Sequence, residues 1–175
     1  MSDVPIPATR DQLFAYLDGL GIATQTVEHE AVFTVGESTA LHREMPGGHT
    51  KNLFLKDAKG QLWLIIAESH TPVDLKSIYK PLGAARFSFG KPDLLMEALG
   101  VTPGSVTALS LINDPGGRVS VVVDAELMKY DSVNCHPLVN TATTNLQRDD
   151  LLKFIRATGH EPKIACLTGL AAESA

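Results

Sequence analysis

Residues 52–67 read NLFLKDAKGQLWLIIA, and this stretch decides which class of fold the chain can adopt. It contains two apolar runs, 52–56 and 62–67, each of the length that a β-strand has in globular proteins. The residues between them, at 57–60, are mainly of the polar and glycine types that form tight turns. The stretch therefore predicts a β-hairpin.

Strands and short helices alternate on both sides of this hairpin. Thr9 is a suitable N-cap for a first helix, Gln12 stands at the capping-box position, and Gly21 can end the helix. Further strands are predicted at 22–28, 138–144 and 163–167, a second hairpin at 105–111 and 119–123, and helices at 37–43, 74–79, 92–99 and 148–157. The pattern predicts one compact α/β domain over residues 1–175 (core about 10–168), with a mixed, largely antiparallel sheet and flanking short helices.

The composition is that of an ordinary globular protein, with 44% hydrophobic and 20% charged residues among 175. No apolar run reaches the roughly 18 residues that a membrane-spanning helix needs, and the first residues lack the basic and apolar regions of a signal peptide. The two cysteines, Cys135 and Cys166, do not form a disulfide framework. These features predict a cytoplasmic protein without a membrane partner.

Charge is distributed unevenly along the chain, whose net charge is −5. Residues 42–91 carry eight cationic and four anionic side chains, a local charge of +4, so the remainder carries −9. The cations are Arg43, Lys51, Lys56, Lys59, Lys76, Lys80, Arg86 and Lys91. A local basic face could hold one short nucleic-acid end, whereas the acidic total argues against broad or specific DNA binding. Ordinary solvated surface lysines are the alternative interpretation.

The usual signatures of nucleotide binding, metal catalysis and serine catalysis are missing from the sequence. It has no glycine-rich phosphate loop, no dinucleotide-binding glycine motif, no H-E-x-x-H and no G-x-S-x-G. His42 and His49 lack the spacing of a compact zinc site. Cys135 and His136 suggest a cysteine nucleophile, but adjacent residues of a strand point to opposite faces. The sequence therefore predicts no metal and no cofactor.

Four short segments carry a family resemblance. They are HEAVFT at 29–34, GGHTKNLFL at 47–55, PGSVT at 103–107 and HPLVNT at 136–141. Together they resemble the YbaK family of aminoacyl-tRNA deacylases, which is also the editing domain inserted in bacterial prolyl-tRNA synthetases. The resemblance spans roughly residues 10–168, and the Lys-Asn pair that opens the Leu-Phe-Leu strand is its most specific part. Within the family, the chain looks like the free-standing branch specific for alanyl-tRNA(Pro).

The resemblance implies an enzyme that clears a wrong amino acid from the acceptor end of tRNA(Pro) without a cofactor. It implies that Lys51 is the family's essential lysine, that Asn52 is its neighbour in the pocket, and that His136 shapes the choice of amino acid. The other implied substrate contacts are Phe33, Thr34, Gly48, Gly104, Ser105, Val106 and Pro137.

The chemistry of ester hydrolysis is consistent with these assignments, because it needs a positioned water and stabilisation of a developing oxyanion. A lysine at the start of a strand, beside two glycines, can direct its ammonium group at the substrate while backbone N–H groups approach closely. The quoted segments contain no obvious general base. The resemblance implies that the terminal ribose hydroxyl helps activate the water, while Lys51 neutralises the terminal phosphate or the reacting carbonyl region.

Several of these residues also have a purely structural interpretation. Lys51 could be a solvated lysine at the end of a strand. Phe33 and Val106 could pack in the core, and Thr34 and Ser105 could serve in turns or caps.

Two other functions stay open at the level of sequence: hydrolysis of cysteinyl-tRNA(Pro), and non-catalytic binding of tRNA or DNA. Editing of alanine is favoured because a pocket built for proline cannot strongly exclude a smaller side chain, since a missing methylene is worth only about 1–3 kcal/mol. Prolyl-tRNA synthetase or an elongation factor is a further expected partner.

Overall fold

The computed structural model describes residues 6–30 and 45–167. Within these ranges the α-helices are α1 (Arg10–Gly19), α2 (Pro92–Leu99) and α3 (Arg148–Ala157). The strands are β1 (Thr24–Glu28), β2 (Gly48–Asp57), β3 (Leu62–Glu68), β4 (Phe87–Phe89), β5 (Val119–Asp124), β6 (Ser132–Cys135), β7 (Ala142–Gln147) and β8 (Lys163–Ala165). Three short 3₁₀ helices lie at Pro103–Ser105, Ala108–Asn113 and Ala125–Lys129.

The strands form one sheet in the order β1-β7-β6-β2-β3-β5-β8, with β4 paired to β2. Neighbours are antiparallel in β1–β7, β7–β6, β2–β3 and β2–β4. They are parallel in β6–β2, β3–β5 and β5–β8. The predicted α/β fold with a mixed sheet and short flanking helices is confirmed.

Strand β2 has two different neighbours on one of its edges. β6 pairs with it only at Gly48 and His49, and β4 pairs with it only at Leu55–Asp57. Gly90 N–H donates to Phe54 O, so the contact on the β4 side begins one residue earlier. Among the described residues, 50–53 therefore have no strand partner on this edge. This gap, called the open edge of β2 below, lies where the Lys-Asn pair is.

Strand β3 is buried on both faces, which explains why its sequence is an uninterrupted apolar run. Leu64 and Ile66 point into a main core that α1, α2 and α3 cover. Ile65 and Ala67 point to a smaller second core on the other face of the sheet. The turns at 75–83 cover that second core.

The helix ends predicted from the sequence are confirmed where the signals are local. Thr9 and Gln12 form a capping box at the start of α1, and Gly21 has a φ of 75°. Gly100 ends α2 in the left-handed conformation, and α3 has the predicted bounds. None of these helices, and none elsewhere in residues 6–30 and 45–167, is long and apolar enough to cross a membrane.

The second predicted hairpin is wrong. The segment 105–111 lies mostly in 3₁₀ helices, because Thr107 caps the chain there: its Oγ1 accepts from Leu109 N–H, and its carbonyl accepts from Ser110 Oγ. Strand β5 instead pairs with β3 in parallel.

Other boundaries differ less. The predicted helix 74–79 is a series of turns, in which the Asp74 carboxylate accepts from Lys76 N–H and Ser77 Oγ and so competes with helical hydrogen bonds. The predicted strand 138–144 begins only at Ala142, strand 22–28 begins at Thr24, and strand 163–167 ends at Ala165. Strands β4 and β6 were not predicted, and the predicted helix 37–43 lies outside the described residues.

Candidate functional site

The turn before β2 depends on two glycines. Gly47 has a φ of 95°, and a Cβ placed on it would lie 2.7 Å from Ser132 O. A Cβ on Gly48 would lie 2.7 Å from Tyr130 Cδ2. Both glycines therefore allow the start of β2 to approach the residues around β6 closely. This close packing explains why residue 48 is a glycine.

Two asparagines from neighbouring strands hold this turn in place. Asn134 Nδ2 donates to Pro46 O at 2.8 Å, and Asn145 Nδ2 approaches the same oxygen at 3.2 Å. Asn145 Nδ2 also lies 3.0 Å from Asn134 Oδ1. The amides thus tie β6 and β7 to the backbone that leads into β2. Neither residue was predicted, because no sequence pattern distinguishes a structural asparagine from any other asparagine in a strand.

Lys51 and Asn52 stand side by side on the open edge of β2, and both are partly exposed. As consecutive residues of a strand they point to opposite faces, with Lys51 on the face of the second core. Asn52 Oδ1 is buried and has no hydrogen-bond partner among the described residues. A buried acceptor without a partner is costly, so a ligand donor that reaches this atom would be stabilised by it.

His136 follows directly after β6. The β2–β6 register pairs His49 with Asn134, so its continuation by two residues brings His136 level with Lys51. Thr50 Oγ1 links the two strands there by donating to Asn134 O at 2.7 Å. Continuation of this register thus places the Lys-Asn segment level with the late histidine segment, although the two are far apart in sequence.

The side chain of His136 has a defined tautomer in its neutral form. Its Nδ1 lies 3.0 Å from Ala142 O, and since a carbonyl can only accept, Nδ1 carries the proton. Burial lowers the pKa of His136, with the Ala142 bond opposing this effect and the nearby charge of His29 adding to it. His136 is therefore neutral around pH 7 and presents its Nε2 lone pair as an acceptor.

The segment after β1 reaches the same place through His29. Its backbone N–H donates to Thr141 O at 2.8 Å, and its Nε2 lies 2.8 Å from Thr143 Oγ1. The rings of His29 and His136 have centroids 6.4 Å apart. Thr143 is buried and was not predicted, because only the strand pairing shows that it lies beside His29.

The loop after His136 contains a left-handed residue that is not glycine. Leu138 has a φ of 70°, a conformation that costs a residue with a Cβ roughly 1–2 kcal/mol. Its side chain is partly buried against the main core, and Pro137 before it is buried. Packing on both sides thus holds the loop in a shape that its backbone alone disfavours.

The segment 103–107 meets this loop at Gly104. A Cβ on Gly104 would lie 3.2 Å from Asn140 Nδ2, so the two segments lie close together. Ser105 is buried and its N–H donates to Thr102 O within a 3₁₀ turn, and Val106 is partly buried against the main core. The predicted substrate residues Phe33 and Thr34 lie outside the described residues.

Cys135 is not placed to act as a nucleophile. Its side chain is 1% exposed, and burial raises the pKa of its thiol to about 12, although the contact with Thr50 Oγ1 opposes the rise. Such a thiol remains protonated and behaves as a small apolar residue.

We predict that Gly47→Ala destabilises the protein by at least about 2 kcal/mol, because it combines a disfavoured φ with a clash against the Ser132 backbone. Gly60→Ala is the matched control, since Gly60 has a φ of 88° with no atom near its Cβ position. Urea unfolding of both variants measures the difference. Equal losses of free energy of unfolding would show that the approach of β2 to β6 does not need Gly47.

Comparison with known proteins gives consistent matches. Residues 29–154 match the family model of the aminoacyl-tRNA editing domain, and this range includes all four segments quoted above. The chain is 36% identical over 152 residues to the prolyl-tRNA editing protein ProX of Acetoanaerobium sticklandii, covering 86% of this chain and 93% of that protein. It is 38% identical over 157 residues to prolyl-tRNA synthetase associated domain-containing protein 1 of Danio rerio, covering 89% and 85%.

The fold is also found in a crystal structure described as a candidate trans-editing enzyme for prolyl tRNA synthetase. The two chains align with a TM-score of 0.66 at 20% identity, over 91% of this chain and 94% of the other.

Proposed function

Because the chain belongs to the aminoacyl-tRNA editing domain family, and is thus an aminoacyl-tRNA deacylase, we propose that its substrate is alanyl-tRNA(Pro). The products are alanine and free tRNA. The observation that carries the proposal is the open edge of β2, where Lys51 and Asn52 stand level with a neutral His136. The Acetoanaerobium relative, named a prolyl-tRNA editing protein, supports the choice of tRNA(Pro).

In the proposed reaction Lys51 is the catalytic residue. Its ammonium group neutralises the terminal phosphate or the carbonyl oxygen on which negative charge develops, and this lowers the barrier for attack by water. The terminal ribose hydroxyl helps activate that water. Asn52 Oδ1, buried and lacking a partner among the described residues, accepts a hydrogen bond from the substrate.

Selection against proline is steric in this proposal. His136 and Pro137 form one wall of the amino-acid pocket, and Phe33, Thr34, Gly104, Ser105 and Val106 complete the set of proposed substrate contacts. Leu138 packs against the main core and Asn140 lies close to Gly104, and both restrict the movement of loop residues 136–140. A stiff wall discriminates by size better than a flexible one, because a flexible wall can yield to the larger side chain.

The proposed partner is the acceptor end of tRNA(Pro), bound in the cytoplasm. The exposed lysines and Arg86 of residues 56–91 supply cations for its phosphates. Prolyl-tRNA synthetase or an elongation factor would be a further partner, because each holds the acceptor end of an aminoacylated tRNA.

A deacylation panel tests the proposal. Purified protein is mixed with tRNA(Pro) carrying alanine, cysteine, serine or proline, and release of each amino acid is followed with time. Fastest release of alanine supports the proposed substrate, whereas fastest release of cysteine assigns the cysteinyl-tRNA(Pro) alternative. Binding without release of any amino acid would identify a non-catalytic tRNA-binding module.

We predict that chelators leave the rate of deacylation unchanged. Among residues 6–30 and 45–167, no three His, Cys, Asp or Glu side chains are placed to hold a metal ion together. The measurement is the rate of alanine release after dialysis against EDTA, compared with an undialysed sample. Loss of activity that zinc restores would contradict the prediction.

A further inference from the structure

An aromatic side chain stands exposed beside the open edge of β2. Phe89, the last residue of β4, is 65% exposed, whereas Phe87 in the same strand is buried in the second core against Trp63 and Tyr79. Single exposed apolar residues are common on protein surfaces. The position of Phe89, rather than its exposure alone, therefore has to carry any functional inference.

Phe89 lies on the same face of the sheet as Lys51. It pairs directly with Leu55 in the β2–β4 register, and residues 51, 53 and 55 alternate onto one face of β2. Leu55 lies four residue steps along the strand from Lys51, a distance of about 13 Å. Phe89 thus lies on the same face as the proposed catalytic lysine. It is at the β4 end of the open edge of β2, whereas His136 follows β6 at the other end.

The position of Phe89 is also well defined. Gly90 N–H donates to Phe54 O at 3.0 Å, and a Cβ on Gly90 would lie 2.2 Å from the Phe54 ring. Only glycine fits there, so the chain leaves β4 in tight contact with a buried core residue. The ring is therefore presented by a rigid backbone.

Exposed cations lie close to Phe89 along the chain, since Arg86 and Lys91 flank strand β4. Tyr79 packs on Phe87, and Lys80 Nζ lies 6.0 Å from the Tyr79 ring centroid. Lys76 and Lys80 lie in the turns that cover the second core and are exposed, as are the two carboxylates in this part of the chain, Asp74 and Asp93. An exposed ring with cationic side chains nearby has the chemistry that binds an unpaired nucleotide, with the base on the ring and the phosphate on a cation.

We propose that Phe89 is a stacking platform for an unpaired nucleotide that precedes the terminal adenosine of the tRNA. This inference rests on the proposed function, which places the aminoacylated adenosine at Lys51. The 3′ end of a tRNA is single-stranded, and its bases expose faces that an aromatic ring can stack on. Arg86 and Lys91, which flank β4, favour this polyanion over an apolar segment of a partner protein.

Phe89→Ala tests the proposal, with Phe89→Trp as the conservative variant and Ile164→Ala as the control at another exposed apolar site. Loss of base stacking is expected to raise KM for alanyl-tRNA(Pro) about 5- to 100-fold with kcat retained. Phe89→Trp and Ile164→Ala are expected to stay near the wild-type values. On alanyl-adenosine, which has no preceding nucleotide, Phe89→Ala is expected to match wild type.

Binding of uncharged tRNA(Pro) separates this inference from the proposed function. Phe89→Ala is expected to weaken that binding by the same factor, whether or not the wild-type protein hydrolyses the alanyl ester. Unchanged affinity for the tRNA would overturn the stacking platform. An equal loss on alanyl-adenosine, or a loss in Phe89→Trp as large as in Phe89→Ala, would also overturn it. Wild-type protein that binds tRNA through Phe89 but releases no alanine would instead overturn the proposed function.

Discussion

Lys51→Ala is expected to lower the rate of alanyl-tRNA(Pro) deacylation at least about 100-fold, the size of effect seen when a group that stabilises developing charge is removed. The fold is expected to survive. Lys51 is partly exposed on the open edge of β2, and among the described residues its side chain makes no hydrogen bond or ion pair. The change therefore removes a charge from the proposed site and little packing.

Lys51→Met separates charge from bulk, because methionine keeps most of the aliphatic length of lysine. It is expected to be as inactive as Lys51→Ala, while Lys129→Ala, an exposed lysine outside the basic segment 42–91, keeps wild-type activity. Rates are measured under single-turnover conditions, and urea unfolding checks that each variant is folded. Near-normal turnover by Lys51→Met would mean that the ammonium group is not needed.

His136→Ala is expected to change the order in which esters are hydrolysed. Removing the imidazole enlarges the pocket by more than the difference between alanine and proline. The preference for alanyl over prolyl ester should therefore fall about 10-fold or more, within the range that one side-chain contact can supply. Affinity for the tRNA itself is expected to stay close to wild type, since the change concerns the amino acid.

Kinetics on alanyl, seryl, cysteinyl and prolyl esters, with tRNA affinity measured separately, provide the test. Thr141→Ala is the matched control, because Thr141 is exposed in the same loop and contacts His29 only through its backbone carbonyl. If all four esters slow by the same factor in His136→Ala, His136 positions the common terminal adenosine, and the size-selecting wall lies elsewhere.

The parts of the fold that the sequence predicted are those with local causes. The capping box at Thr9, the hairpin of β2 and β3, and the bounds of α3 all depend on residues within a few positions of one another. The parallel pairing of β3 with β5 depends on contacts between distant residues. From the sequence alone, a strand with a distant parallel partner looks like one strand of a hairpin. The prediction of a hairpin at 105–111 and 119–123 is wrong for this reason.

The candidate site could be predicted only in part, and mostly through the family resemblance. The resemblance implies that Lys51 and His136 serve one site, which stays a prediction, and continuation of the β2–β6 register places the two segments level. The amide of Asn145 and the left-handed Leu138 were beyond prediction. One depends on a partner about a hundred residues away, and the other adopts a conformation that its side chain disfavours.

Single-turnover hydrolysis of alanyl-tRNA(Pro) by the wild-type protein, set beside prolyl-tRNA(Pro), tests the proposed function most directly. The proposal predicts that alanine is released well above the spontaneous rate, while proline remains attached to its tRNA. Release of neither amino acid above the spontaneous rate would contradict the proposal, and so would release of both at equal rates.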